Sequence, residues 1–250
     1  MKPNPDAVPN PDSVLHPDTV LKIQAAWAQI LGVPVESLAG NGTRIYRQKN
    51  DSSVVMFVSL FGVGVLVGPE WAITAARDLT DRELASHAKL LEISAPHGGR
   101  PLGEAGLYFC DSQARVPDPK SMNVSRASEH AVALESGCSR EDLAEVGLSE
   151  MVNTFVLLGN EGPSPRPLAG SGYDVWQDSL AHMGVLTAPG QRGQGHASTT
   201  VLIAVDHAMK SGLIPQWRVR TDNTASIRTA LRAGFKHAGS QTTVLLKATS

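Results

Sequence analysis

The sequence predicts an α/β (α+β) protein built on a mixed β-sheet flanked by helices. Three observations predict it. Apolar runs of strand length alternate with segments whose apolar residues recur every three to four positions. Gly and Pro, 23 and 16 of them, punctuate those runs at their ends. Hydrophobic residues make up 42% of the 250 residues and charged residues 18%, which is ample for a core and unlike a disordered tail.

The opening stretch, with Pro at positions 3, 5, 9 and 11, has no apolar periodicity, so residues 1–18 read as a disordered arm. It lacks the apolar stretch of a secretory signal. From Asp18-Thr19 a helix is expected: Val20, Ile23, Ala26, Trp27, Ile30 and Leu31 share one face, and Gly32 and Pro34 end it. Strands follow at Thr43–Arg47, Val54–Leu60 and Gly64–Val67, then a helix through Ala75, a shorter one near Asp81–Ala85, and a strand at Gly106–Cys110. These make an N-terminal α/β domain, 19–111. Residues 112–128, with Pro117 and Pro119 and little apolar content, read as a linker, and 129–250 as a second domain. In that domain Ser139-Arg-Glu-Asp142 has the form of a capping box. Thr154–Leu158 and Leu168–Trp176 read as a strand and its return, and Leu180–Thr187 as a third strand. The longest apolar runs are far shorter than the ~20 residues of a membrane span.

The strand Leu180–Thr187 ends at Ala188-Pro189-Gly190, and Arg192-Gly-Gln-Gly-His-Ala197 leads into a helix whose Ala197, Val201, Ala204, Val205 and Ala208 line one face. A strand, a glycine turn and a helix N-terminus aim several backbone N–H groups at one point, where the helix dipole favours an anion. The spacing fits neither G-x-x-x-x-G-K-[ST] nor G-x-G-x-x-G. Downstream, a strand Trp217–Arg220 precedes Asn223-Thr-Ala-Ser226, which opens a helix ending at Gly234-Phe235.

Together, the [RQ]-x-x-G-x-[GA] turn behind its strand and the N-x-x-[AS]…G-F element resemble the acyl-CoA signature of the GNAT superfamily of N-acyltransferases, over about residues 150–247. The resemblance implies a sheet that splays beside the strand before the glycine turn. Val185, Leu186 and Thr187 would pair there with pantetheine through their backbone. Arg192, Gly193, Gln194, Gly195, His196 and Ala197 would cradle the pyrophosphate, and Asn223 and Ser226 would meet pantetheine. Acetyl-CoA, or another acyl-CoA, is then the implied co-substrate, and a small-molecule primary amine the implied acceptor. A backbone N–H, from Val185 or Leu186, would hold the thioester oxyanion. His182, on the same strand, is the candidate base, since an unperturbed imidazole titrates near 6.5; Asp174, Asp178 and Glu161 are the alternatives. Many members carry a Tyr seven residues after the Asn to protonate the thiolate. Here that position is Ala230.

Other readings follow from what is missing or unassigned. A GNAT-fold transferase with aminoacyl-tRNA as donor, or a non-catalytic CoA-binding module, stands beside the N-acyltransferase. Val63–Pro69 echoes Met183–Pro189, as two degenerate copies of one fold or two ordinary strands ending in Gly/Pro would. The eight His form no metal-ligand spacing, so no metal is expected. Cys110 and Cys138 read as structural thiols in a reducing cytoplasm. His97-Gly-Gly-Arg100 reads as a surface turn, Trp217 as core, and Trp176 as flanking the cleft.

The net charge of −2 is uneven. From Gln191 onward eight bases face two acids, so this segment is +6 and the remainder −8. A basic segment suits the phosphates of coenzyme A, and an acidic body would draw a cationic amine.

Overall fold

The computed structural model describes residues 14–40, 42–112, 122–159 and 165–247. Most of the expected arm, residues 1–13, and the middle of the expected linker, residues 113–121, lie outside the described residues.

Helix α1 (Pro17–Leu31) begins two residues inside the expected arm. Pro17 takes the first helical position, where a missing N–H costs nothing, and the His16 imidazole accepts from Asp18 N–H. Gly32, at φ 68°, ends it and returns its N–H to the carbonyls of Ala28 and Gln29. Ile23, Trp27 and Leu31 are buried. A turn of helix, α2 (Val35–Leu38), leads to strands β1 (Ile45–Gln48), β2 (Val54–Leu60) and β3 (Val63–Gly68), then to helices α3 (Glu70–Ala75), α4 (Asp81–Ala85) and α5 (His87–Ser94). Strand β4 (Arg100–Phe109) is twice as long as expected at Gly106–Cys110. Its first half, Arg-Pro-Leu-Gly-Glu-Ala, has no strand pattern of its own and is recruited by pairing with a neighbour.

The expected linker is partly structured. Val124–Ser125 forms a short edge strand, β5, on strand β6 (Asn153–Gly159), and helix α6 (Ser128–Ser136) begins at its end. Helix α7 (Arg140–Glu145) carries the expected capping box: the Ser139 hydroxyl accepts from Asp142 N–H, and the Asp142 carboxylate accepts from Ser139 N–H. Strands β7 (Arg166–Trp176) and β8 (Leu180–Thr187), helix α8 (His196–Lys210), strand β9 (Ile214–Arg220), helix α9 (Thr224–Arg232) and strand β10 (Lys236–Leu245) complete the order.

Among the described residues ten strands form one sheet, in the order β1-β3-β2-β10-β4-β9-β8-β7-β6-β5. It is a mixed sheet flanked by helices, as the sequence leads one to expect. The pairings are antiparallel except β1 with β3 and β8 with β9. Strand β10 lies between β2 and β4, and β4 lies between β10 and β9, so each half of the chain contributes a strand to the other's part of the sheet. Helix α1 covers one face with Ile23 and Trp27 against Val58, Val65, Leu107, Leu180 and Ile214. Helices α8 and α9 cover the opposite face with Val201, Ala204 and Ala230 against Tyr173, Met183, Trp217 and Val219.

Candidate active site

Strands β8 and β9 run side by side only from Leu180–Ile214 to His182–Gln216. Beyond that point β8 pairs only with β7, and β9 only with β4, so the sheet opens into a V. The direction of each backbone group in it can be counted. Ala188 N–H donates to Leu168 of β7's side, and Ile214 N–H donates to the Ser179 carbonyl. Neighbouring residues of a strand turn their N–H and C=O to opposite sides. The even residues of β8 therefore bond to β7, and the odd residues face the gap. Val185 and Thr187 turn their N–H and C=O into the V; Leu186 turns its own to Gly170. Leu186 is thus removed from the expected backbone donors, and its side chain packs on Leu134 and Leu148.

The V is a cleft of about 550 Å³. Residues 183–187 form one wall and residues 217–220 the other. Gly103 to Ala105, Gln241 and Thr243 of β4 and β10 extend the second wall, and Asp142, Glu145 and Val146 of the α7 region close over the first. Gly184 permits that closure, because a Cβ there would stand 2.8 Å from Val146 Cγ1 and still closer to Met151.

At the far end of β8, Gln191, Arg192, Gly193, Gly195, His196 and Ala197 line the cleft. Gly193 and Gly195 hold φ of 80° and 86°, which L side chains rarely adopt, and no atom comes within 4 Å of a Cβ built on either. Gly195 caps α8 without a side chain, so the first-turn N–H groups of that 15-residue helix have no capping partner. This is a concave cradle of donors at a helix N-terminus. Arg192 itself is exposed and paired with Asp142 at 2.8 Å, and Gln194 Nε2 donates to Gly190 O at 3.3 Å. Asn223 caps α9: its Oδ1 accepts from Ser226 N–H at 3.1 Å, and its Nδ2 donates to Glu145 at 3.2 Å. The Ser226 hydroxyl accepts from the buried Trp217 indole N–H at 3.0 Å.

His182 stands at the apex of the V, directly beside Gln216. Trp176 stacks on its ring with centroids 3.9 Å apart. Its surroundings differ from those of a base. Trp27 Nε1–H, which can only donate, donates to Gln216 Oε1 at 2.9 Å. The Gln216 amide nitrogen therefore faces His182 Nδ1, 3.2 Å away, and donates to it. With Nδ1 accepting, the proton of the neutral ring is on Nε2, and that nitrogen is a donor. Burial, and then the nearby Arg218 charge, push the pKa down to about 4. That tautomer and the lowered pKa both argue against the expected role of His182 as base. Of the alternatives, Asp174 lies opposite His182 on β7 but accepts from Val152 N–H, outside the cleft lining, and Asp178 is a hairpin-turn residue at φ 53°. Glu161 lies outside the described residues.

Two residues of the cleft escaped sequence reasoning. Arg218 and Gln241 lie on neighbouring parts of the second wall, with Arg218 Nη1 3.4 Å from Gln241 Oε1. No sequence signal joins positions that meet only because β4 separates β9 from β10. Ala230 is fully buried in the core. His97 stacks on Trp71, away from the cleft.

Residues 155–235 match the model of the acetyltransferase (GNAT) family. Solved structures resemble the chain as well. One is an acetyltransferase of the GNAT family from Colwellia psychrerythraea (18% identity, 62% of this chain, TM-score 0.45), of whose length the match covers 60%. Another is a putative acetyltransferase of the family from Novosphingobium aromaticivorans (17% identity, 60% of this chain and 68% of that one, TM-score 0.47). A GCN5-related N-acetyltransferase from Kribbella flavida is matched over 92% of this chain and 96% of its own, at 11% identity and TM-score 0.47. No curated protein matches the chain.

Proposed function

We propose that the protein transfers an acyl group, most simply acetyl from acetyl-CoA, to the primary amine of a small molecule. One observation carries the reading: an open strand edge at Val185 and Thr187 leads straight to an uncapped helix N-terminus behind Gly193 and Gly195. From the apex at His182 to Thr187 that edge runs about 16 Å, room for an extended pantetheine arm. The loop N–H groups would then meet the pyrophosphate.

Chemically, the amine nitrogen attacks the thioester carbonyl carbon, the C–S bond breaks, and the sulfur leaves as thiolate and gains a proton. Val185 N–H, which faces the V, would donate to the developing oxyanion. His182, neutral and protonated on Nε2, is a second donor at the same end, and the ammonium proton leaves through water. The chain would divide at 112–128 into an N-terminal unit, 19–111, and an acyltransferase unit, 129–250, that share one sheet through β4 and β10. The two cysteines are free thiols, which suits a reducing cytoplasm. Among the described residues no helix is long and apolar enough to cross a membrane.

The test is calorimetric titration with CoA and acetyl-CoA, followed by thiol release across an amine panel. Binding of CoA and turnover are expected; a folded protein that binds no CoA overturns the reading. A non-catalytic CoA-binding module is the second reading. It is favoured by the buried Ala230 where many relatives carry Tyr, and turnover above background removes it. The overall charge of −2 and the lack of a Lys/Arg-rich arm argue against an aminoacyl-tRNA donor.

A further inference from the structure

Charge pairing in the cleft leaves one residue over. Three acids line it, and each is engaged: Asp142 with Arg192, Glu145 with Arg220 and Asn223, and Glu104 with the backbone N–H of His87. Arg220, on the same face of β9 as Arg218, is held by Asp222 at 2.6 Å. Arg218 differs. Among the described residues its bonded partner is the neutral Gln241, and no carboxylate lies within ion-pair distance of it. Gln241 is itself fixed, with Nε2 3.1 Å from Thr243 Oγ1 and 3.2 Å from Met56 Sδ.

The position matters as much as the charge. Arg218 follows Gln216 by two residues, so both side chains leave the same face of β9, about 7 Å apart. Gln216 touches His182, at the apex of the V. Arg218 therefore lies towards the end of the cleft where the acyl group would react, level with Gly184 and three β8 residues before the strand ends at Thr187. It is too far along the strand to be the phosphate site. Its surface is open to solvent, yet the concave wall crowds it, and that desolvation lowers its pKa below the usual arginine value. A guanidinium stays charged at any ordinary pH, so the wall keeps a cation without a carboxylate partner beside the reacting end. A plain alkylammonium would be repelled there, and the acids that could attract it are spoken for.

We propose that Arg218 is the carboxylate-binding residue of the acceptor site, and that the acceptor is an amine bearing its own carboxylate, the chemistry of an amino acid. The inference rests on the acyl-transfer reading and names its substrate class. A guanidinium matches a carboxylate in two parallel bonds, and Gln241 Oε1 accepts from only one of the nitrogens, Nη1.

The experiment compares the twenty amino acids with their C-terminal amides as acceptors of acetyl-CoA, in the wild-type protein, Arg218→Gln and Arg218→Lys. At least one acid is expected to exceed its amide in kcat/KM, and Arg218→Gln is expected to collapse that acid-over-amide ratio by roughly 10- to 100-fold, with Arg218→Lys in between. Thermal shift with acid against amide, measured without CoA, should follow the same order. That readout separates this inference from acyl transfer itself, because it persists in a protein that binds no CoA. Amides favoured over acids, or a ratio untouched by Arg218→Gln, overturns the proposal. So does a preference for succinyl-CoA over acetyl-CoA that Arg218→Gln abolishes, since the carboxylate would then belong to the donor.

Discussion

The imidazole of His182 is held neutral by burial first and by the Arg218 charge second. In the unfolded chain it titrates near 6.5, and in the folded protein near 4. Between those values the unfolded state binds more protons, so unfolding becomes easier as pH falls through that window, by at most about 1.4 kcal/mol per pH unit. Urea unfolding at pH 7 and pH 5 should show this loss in the wild type and a smaller one in His182→Gln. The same shift predicts that His182 contributes no inflection to kcat/KM between pH 6 and 8. Trp27→Phe removes the donor that fixes the Gln216 amide and leaves a buried carbonyl oxygen without its partner. A cost of about 1–3 kcal/mol is expected, with nitrogen NMR showing His182 no longer held as the Nε2–H tautomer. None of this was readable in the sequence around position 182, because Trp27 acts through Gln216, 189 residues further along the chain.

Helix α7 shows how much a local pattern can carry and where it stops. Its capping box is spelled out in four consecutive residues, and the structure contains it. The Asp142 carboxylate is held below its ordinary value chiefly by the Ser139 hydroxyl, with Arg192 adding to it. Its contribution is present above the ordinary carboxylate range and lost as pH falls below it. Asp142→Ala should cost about 1 kcal/mol, read from the urea midpoint, and should free Arg192 beside the glycine loop. The strand–loop–helix unit at 180–210 was legible for the same reason as the cap: apolar run, glycines and helical period all lie within 30 residues. Strand β4 was half legible, since its Pro- and Gly-containing start becomes a strand only through β10. The opening between β8 and β9 follows from where pairing ends, which no single strand encodes.

At the scale of the molecule, the +6 and −8 parts of the chain are not separate bodies. Arg192 pairs with Asp142, Arg220 with Glu145, and Lys236 with Asp111, each bond tying the basic segment to the acidic remainder. The sheet ties them further through β10. Gly239, beside a register shift in that strand, lies so close to the Ser59 carbonyl that a Cβ could not be fitted without moving backbone. Gly239→Ala should lower stability by at least about 2 kcal/mol, checked by chemical unfolding. Because β10 joins β2 to β4, the tryptophans of both halves should report one transition rather than two.

The central place of β10 also bears on how the chain is made. On the ribosome, β2 and β4 emerge long before residues 236–245 exist, and each waits with an unpaired edge of apolar strand. The sheet closes only when that late strand arrives to fill the space between them. Nascent chains are therefore most exposed to mispairing in this interval, and any truncation that removes β10 strands the first half as surely as the second.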